Sequence, residues 1–174
     1  LPHFQVERKM RAGAGEAGNI DIAAQEEQRR DRSFVYQGYS DTTCLVETDS
    51  EPPHFINTDA LKIALQFCAL VEARVFPYAQ VMRKTIANGS ATSGFQRTVL
   101  LGVNGKIKTS EGDITLEGIN LEEDAAREID DLHTQGHTIF RLDRLGIPLI
   151  EVSTAPQITS PQQCQDVAKK LGLL

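Results

Sequence analysis

Phe95-Gln96-Arg97-Thr98-Val99-Leu100-Leu101, Lys106-Ile107-Lys108 and Ile114-Thr115-Leu116 are short β-branched and apolar runs separated by glycine turns. The turns carry Asn88-Gly89, Asn104-Gly105 and Glu111-Gly112-Asp113. Asn104-Gly105 between two strand-like runs predicts a hairpin, because both residues tolerate positive φ. Outward from this centre, Val81 on one side and Thr138–Leu142 and Leu149–Ser153 on the other also read as strands. Helices flank them. Asn57 or Thr58 opens one in which Leu61, Ala64, Leu65, Cys68 and Val71 recur at three- and four-residue steps, giving one apolar face. Ser160 caps the last, with Pro161 at its first position, where a missing N–H does no harm.

Nearer the start, the first segment is polar and glycine-rich, and Asn19 is expected to cap a charged helix running from Ile20 to about Asp31. Ser33–Gln37 and Thr42–Glu47 read as two further strands. Pro52-Pro53 keeps the loop Asp49–His54 extended. Helix, several antiparallel strands, then helix defines an α+β domain: a mostly antiparallel twisted sheet with helices on one face.

Composition narrows the class. With 174 residues, 40% hydrophobic and 24% charged, the chain can bury a core as an ordinary globular domain. No apolar run approaches the roughly 18 residues that cross a bilayer. Leu1-Pro2-His3-Phe4-Gln5 does not read as a signal peptide, so a cytoplasmic protein is expected. The chain begins without Met and stops straight after a helical pattern, which reads as a piece of a longer polypeptide. Cys44, Cys68 and Cys164 are too scattered for a disulfide framework or a four-cysteine zinc site. A formal charge of −6 argues against a surface that grips nucleic acid by neutralising phosphates.

Four groups of residues could carry chemistry. Gly13-Ala14-Gly15-Glu16-Ala17-Gly18 spells G-x-G-x-x-G, but Glu7-Arg8-Lys9-Met10-Arg11 before it cannot be the buried strand a dinucleotide site requires. It reads as a flexible loop. Leu121-Glu122-Glu123-Asp124-Ala125-Ala126-Arg127 places three carboxylates in a row, as either a helix N-terminus or a strand that would send them to alternating faces. Glu151 is the one charged residue in Ile147–Val152, either costly to bury without partners or an edge residue facing water. Acids from separate strands meeting at one point would suit Mg²⁺, which takes oxygen ligands. Met82-Arg83-Lys84, Ser93, Gln96, Arg97 and Arg141-Leu142-Asp143-Arg144 form a basic and polar set suited to phosphate or carboxylate groups, or to pairing with surface acids. His3, His54, His133 and His137 have no mutual metal-ligand spacing and stay unassigned.

Several strings then point to one family. Asp41-Thr42-Thr43-Cys44-Leu45-Val46-Glu47, Glu51-Pro52-Pro53-His54, Met82-Arg83-Lys84, Thr92–Thr98, Leu121–Arg127, Arg141–Glu151 and Thr154-Ala155-Pro156 occur in order. Together they resemble the archaeal E-type subunits of glutamyl-tRNA(Gln) amidotransferase, relatives of the bacterial B-type subunits within the GatB/GatE family. The resemblance implies part of a glutamine-synthetase-like catalytic cradle. It also implies ATP-dependent phosphorylation of the glutamyl γ-carboxylate on tRNA(Gln), then amidation by ammonia from an asparaginase-like D-type subunit in a heterotetramer. By motif position Glu122 and Glu151 are the expected catalytic carboxylates, and Glu151 with one of Glu122 and Glu123 is expected to hold Mg²⁺. Glu122 is preferred, because Leu121 and Glu123 would share the opposite face of a strand. Ser93, Gln96, Arg97 and Arg144 are expected at the aminoacyl, nucleotide and phosphate groups. The family's initial Gly-Leu-Glu-Ile-His segment and its later tRNA-holding domains have no counterpart in these residues, so the chain alone is expected to bind metal and ATP poorly and turn nothing over. Two other readings are a bacterial B-type subunit acting in the same reaction and a non-catalytic module that docks a partner or tRNA.

Overall fold

A computed structural model of the chain describes residues 1–10, 12–15, 17–129 and 137–174; His133 lies outside them. The elements, in order, are β1 (Phe4–Lys9), α1 (Ile22–Arg29), β2 (Ser33–Gly38), α2 (Thr58–Leu70), β3 (Arg74–Thr85) and β4 (Phe95–Val103). Then come β5 (Gly105–Thr109), β6 (Gly112–Glu123), β7 (Arg127–Glu128), β8 (Thr138–Arg141), β9 (Pro148–Thr154) and α3 (Pro161–Leu171). This is an α+β fold, and its strands fall into two mostly antiparallel sheets rather than a single one. The chain divides into two compact units, one of Leu1–Phe55, Arg83–Arg97 and Glu123–Ile147, the other of Ile56–Met82, Thr98–Glu122 and Pro148–Leu174.

The first unit holds the four-stranded sheet β1-β2-β8-β7. β1 and β7 pair antiparallel to their neighbours, while β2 and β8 run parallel. Phe34, Tyr36 and Phe140 come together from β2 and β8, with Met10, Ala24, Ala126 and Leu142 around them. Tyr36 and Phe140 stack with ring centroids 5.7 Å apart, an arrangement worth more than their buried area alone. The buried Tyr36 hydroxyl donates to Gly89 O at 2.6 Å, and burial pushes its pKa well above the usual tyrosine range.

Several local expectations change here. Phe4–Lys9, in the polar first segment where no strand was expected, is a strand, largely exposed and antiparallel to β2. In the glycine-rich stretch after it Ala14 bridges Ile20 and Gly15 N donates to Asn19 O. That bridge holds Ile20 extended. The helix therefore starts two residues late, with Asp21 in place of Asn19 accepting from Ala24 N at 3.0 Å, and it ends at Arg29. Thr42–Glu47 is a series of turns, not a strand. Its side chains take nearby backbone groups: Thr43 Oγ1 accepts from Tyr39 N and Glu47 Oε2 from Cys44 N.

In the second unit α2 and α3 cover a core with strands of the five-stranded sheet. Asn57 caps α2 by accepting from Asp59 N and Ala60 N, and Ser160 caps α3 by accepting from Gln163 N, both as the sequence predicts. Ala64 and Cys68 of α2 and Val71 just beyond it bury the expected apolar face against Val99, Leu101, Ile107, Leu116, Ile119 and Leu121.

The Asn104-Gly105 hairpin does not form. β4 and β5 pair successive parts of β6 in one antiparallel register, from Thr98 opposite Glu122 to Thr109 opposite Gly112, with a bulge at Leu101. The chain reverses at Ser110-Glu111 instead, and Asn104, at φ 60°, marks a kink in a continuous line. Gly105 is needed there because a Cβ would lie 2.8 Å from Val71 Cγ2.

Candidate functional site

The three consecutive acids lie in and just after β6, which settles the helix-or-strand alternative in favour of a strand. Glu122 is 6% exposed. A carboxylate so buried needs donors. Its cross-strand partner Thr98, equally buried, supplies one: Thr98 Oγ1 donates to Glu122 Oε1 at 2.9 Å. Two residues back along β6, and so on the same face, stands Asn120, which pairs Leu100 in the same regular stretch. Asn120 Nδ2 donates to Glu151 Oε2 at 3.0 Å.

Glu151 lies on β9, which pairs with β6. Ala155 N donates to Thr115 O, and a Cβ on Gly118 would meet Ser153 Oγ. Later residues of β9 thus meet earlier ones of β6, an antiparallel arrangement that brings Glu151 to Asn120. Glu151 is half-buried, between the two surroundings considered from its sequence. The strand pairing therefore carries Glu151 to the residue two places from Glu122, about 7 Å along the strand. Asn120 Oδ1 is shut off from solvent and accepts no hydrogen bond.

Glu123 belongs to the first unit and has different company. Arg97 Nε donates to its Oε1 at 2.9 Å, Nη2 reaches the same oxygen, and Gln96 Nε2 donates to Glu123 O at 2.6 Å. Arg97 Nη1 also donates to His54 O at 2.5 Å. Next along the chain, Asp124 Oδ2 accepts from Arg144 Nε at 2.9 Å. The Asp124 backbone also anchors the turn that carries Arg144, its carbonyl accepting from Gly146 N and its N–H donating to Ile147 O. Ser93 is exposed, its hydroxyl donating to Phe95 O within its own turn.

The expected residues thus divide between the units: Glu122 with Thr98 and Glu151 with Asn120 in the second, Glu123 with Gln96 and Arg97 and Asp124 with Arg144 in the first. Thr98 and Asn120 were not singled out by sequence reasoning. The signal for Asn120 was a polar residue between Ile119 and Leu121, two places before Glu122.

The oxygen donors of the second unit suit a hard divalent cation, and an amide oxygen with no partner among two carboxylates is the kind of acceptor such an ion satisfies. Among the described residues there is no group of three or more His, Cys, Asp and Glu that could hold a metal, so the donors at hand are two carboxylates and an amide. No helix among those residues is long and apolar enough to cross a membrane.

Such a chain is an α+β protein presenting carboxylates from neighbouring strands of an antiparallel sheet. It belongs to the GatB/GatE catalytic domain family, which it matches over residues 8–174. It is 48% identical over 172 residues to the E-type glutamyl-tRNA(Gln) amidotransferase subunit of Pyrobaculum neutrophilum, a match covering 98% of this chain and 28% of that protein. The proteins of the same name from Methanocaldococcus jannaschii and Methanococcus maripaludis are 46% and 43% identical, over 98% and 99% of this chain and 27% of each relative. The chain therefore spans little more than a quarter of the length of the curated relatives it matches.

Proposed function

We propose that this chain is part of the catalytic cradle of an ATP-dependent ligase that converts Glu-tRNA(Gln) to Gln-tRNA(Gln). In the proposed reaction a γ-carboxylate oxygen of the glutamyl group attacks the γ-phosphorus of ATP, and ADP leaves. Ammonia then attacks the carbonyl carbon of the acyl phosphate, inorganic phosphate departs, and the nitrogen loses a proton to give the amide. The observation that carries the reading is the buried Glu122, fixed by Thr98, with Glu151 of the neighbouring strand β9 held by Asn120, two residues from Glu122, in a member of this family.

Phosphoryl transfer asks a protein mainly for positioning and charge neutralisation. Glu122 and Glu151 would hold Mg²⁺, with Glu123 left to orient Arg97. The ion, when bound, offsets negative charge on the phosphates of ATP. Thr98 and Asn120 keep the two carboxylates from swinging, which preserves the alignment such a transfer needs. We assign Gln96, Arg97 and Ser93 to the aminoacyl end and nucleotide, and Arg144 to phosphate. The guanidinium of Arg144 is oriented by Asp124 through Nε, which fits a planar fork offered to an anion, and that of Arg97 is held by Glu123 and His54 O. The ammonia donor in this reading is an asparaginase-like D-type subunit in a cytoplasmic heterotetramer. The E-type naming of the relatives favours this over a bacterial B-type role.

The test uses the full-length polypeptide that carries this sequence, assembled with its ammonia-supplying partner. Glu122→Gln and Glu151→Gln are each expected to lower kcat for Gln-tRNA(Gln) formation by about 100-fold or more. Amidation left intact in both would hand the chain to the docking-module reading.

A further inference from the structure

Asn120 makes two different uses of one amide. A carboxylate can only accept, so the hydrogen bond to Glu151 fixes which end of the amide faces it: Nδ2 toward β9 and Oδ1 away. Oδ1 is then closed off from water with no donor to meet it. A buried acceptor left in that state is costly, and native proteins keep few. The residues on either side, Ile119 and Leu121, are core residues on the opposite face of β6, so Asn120 has one direction in which to point, the face it shares with Glu122.

We propose that Asn120 is a positioning residue of the cation site, clamping Glu151 through Nδ2 and turning Oδ1 toward the ion held by Glu122 and Glu151. This rests on the reading that those two carboxylates hold a divalent ion. An amide suits the place for a reason of charge. Two carboxylates already balance a divalent cation, and a third would repel the triphosphate that must approach it. Asn120 adds a hard oxygen without adding negative charge.

Mn²⁺ is the probe, titrated alone into the full-length assembly and followed by electron paramagnetic resonance, with ATP kinetics measured alongside. Asn120→Ala is expected to weaken Mn²⁺ binding by roughly 10–100-fold, whereas the isosteric Asn120→Asp, which loses the donor to Glu151 but sets a third charged oxygen beside the ion, stays within about threefold of wild type. Asn120→Asp should instead raise the KM for ATP, a change that a merely structural asparagine would not produce. Mn²⁺ bound by Asn120→Ala as tightly as by wild type, or lost equally in both variants, would overturn the assignment. An assembly whose unsubstituted form binds no Mn²⁺ overturns the cation site itself, and the role of Asn120 with it.

Discussion

Thr98 and Glu122 face each other across β4 and β6, and the hydroxyl is there to serve the carboxylate. Both are only 6% exposed, so water cannot replace a donor that is taken away. Thr98→Val keeps the shape and the β-branch while removing the hydroxyl, and is expected to destabilise the protein by about 1–3 kcal/mol in urea unfolding. Thr98→Ser, which restores the donor, should recover most of the loss. A Thr98→Val protein as stable as wild type would mean that Glu122 is supported from elsewhere. At this scale the sequence was legible where alternation decides. The period of a strand sends Glu122 and Glu123 to opposite faces, and the two do have different surroundings. Asn120 was not legible in this way, because its contact with Glu151 depends on β9 pairing with β6 across 31 positions of chain. Nothing local in Gly118–Glu122 announces that pairing.

Elements with a local signature were readable, and the pairing between the strands was not. α2 and α3 carry their caps and apolar steps in sequence, and both form where they are expected. Asn104-Gly105 has an equally strong local signature and misleads, because β4 and β5 share β6 as a partner and have no need to turn toward each other. The pair instead lets the strand kink where Lys106 N donates to Val71 O at 2.8 Å, at the end of α2. Val71 is 1% exposed and has nowhere to go. Gly105→Ala would set a methyl 2.8 Å from Val71 Cγ2 and should cost about 1–3 kcal/mol, seen as a lowered Tm. Asn104→Gly, which accepts positive φ without a Cβ, should be tolerated. Equal Tm values for Gly105→Ala and wild type would show that Val71 can yield after all.

For the molecule as a whole, charge and extent bear on how RNA would be held. The chain carries 24 acidic residues against 18 Lys and Arg. Many of its arginines already face carboxylates: Arg29, Arg30 and Arg32 meet Glu26 or Glu27, Arg97 meets Glu123, Arg141 meets Asp143 and Arg144 meets Asp124. Ion pairs of this kind leave few cations to release counterions from a phosphate backbone. Family membership was legible from the ordered motifs, but RNA affinity is a property of surface charge summed over the whole protein, and this chain matches little more than a quarter of its relatives' length. The 174-residue chain by itself is therefore expected to bind Glu-tRNA(Gln) at least about 10-fold more weakly than the full-length polypeptide, with a shallow dependence on salt between about 50 and 200 mM. Filter binding across that range measures both quantities. Equal affinity with a steep salt slope would place a phosphate-gripping surface on these residues, and would require the paired arginines to exchange their carboxylates for RNA.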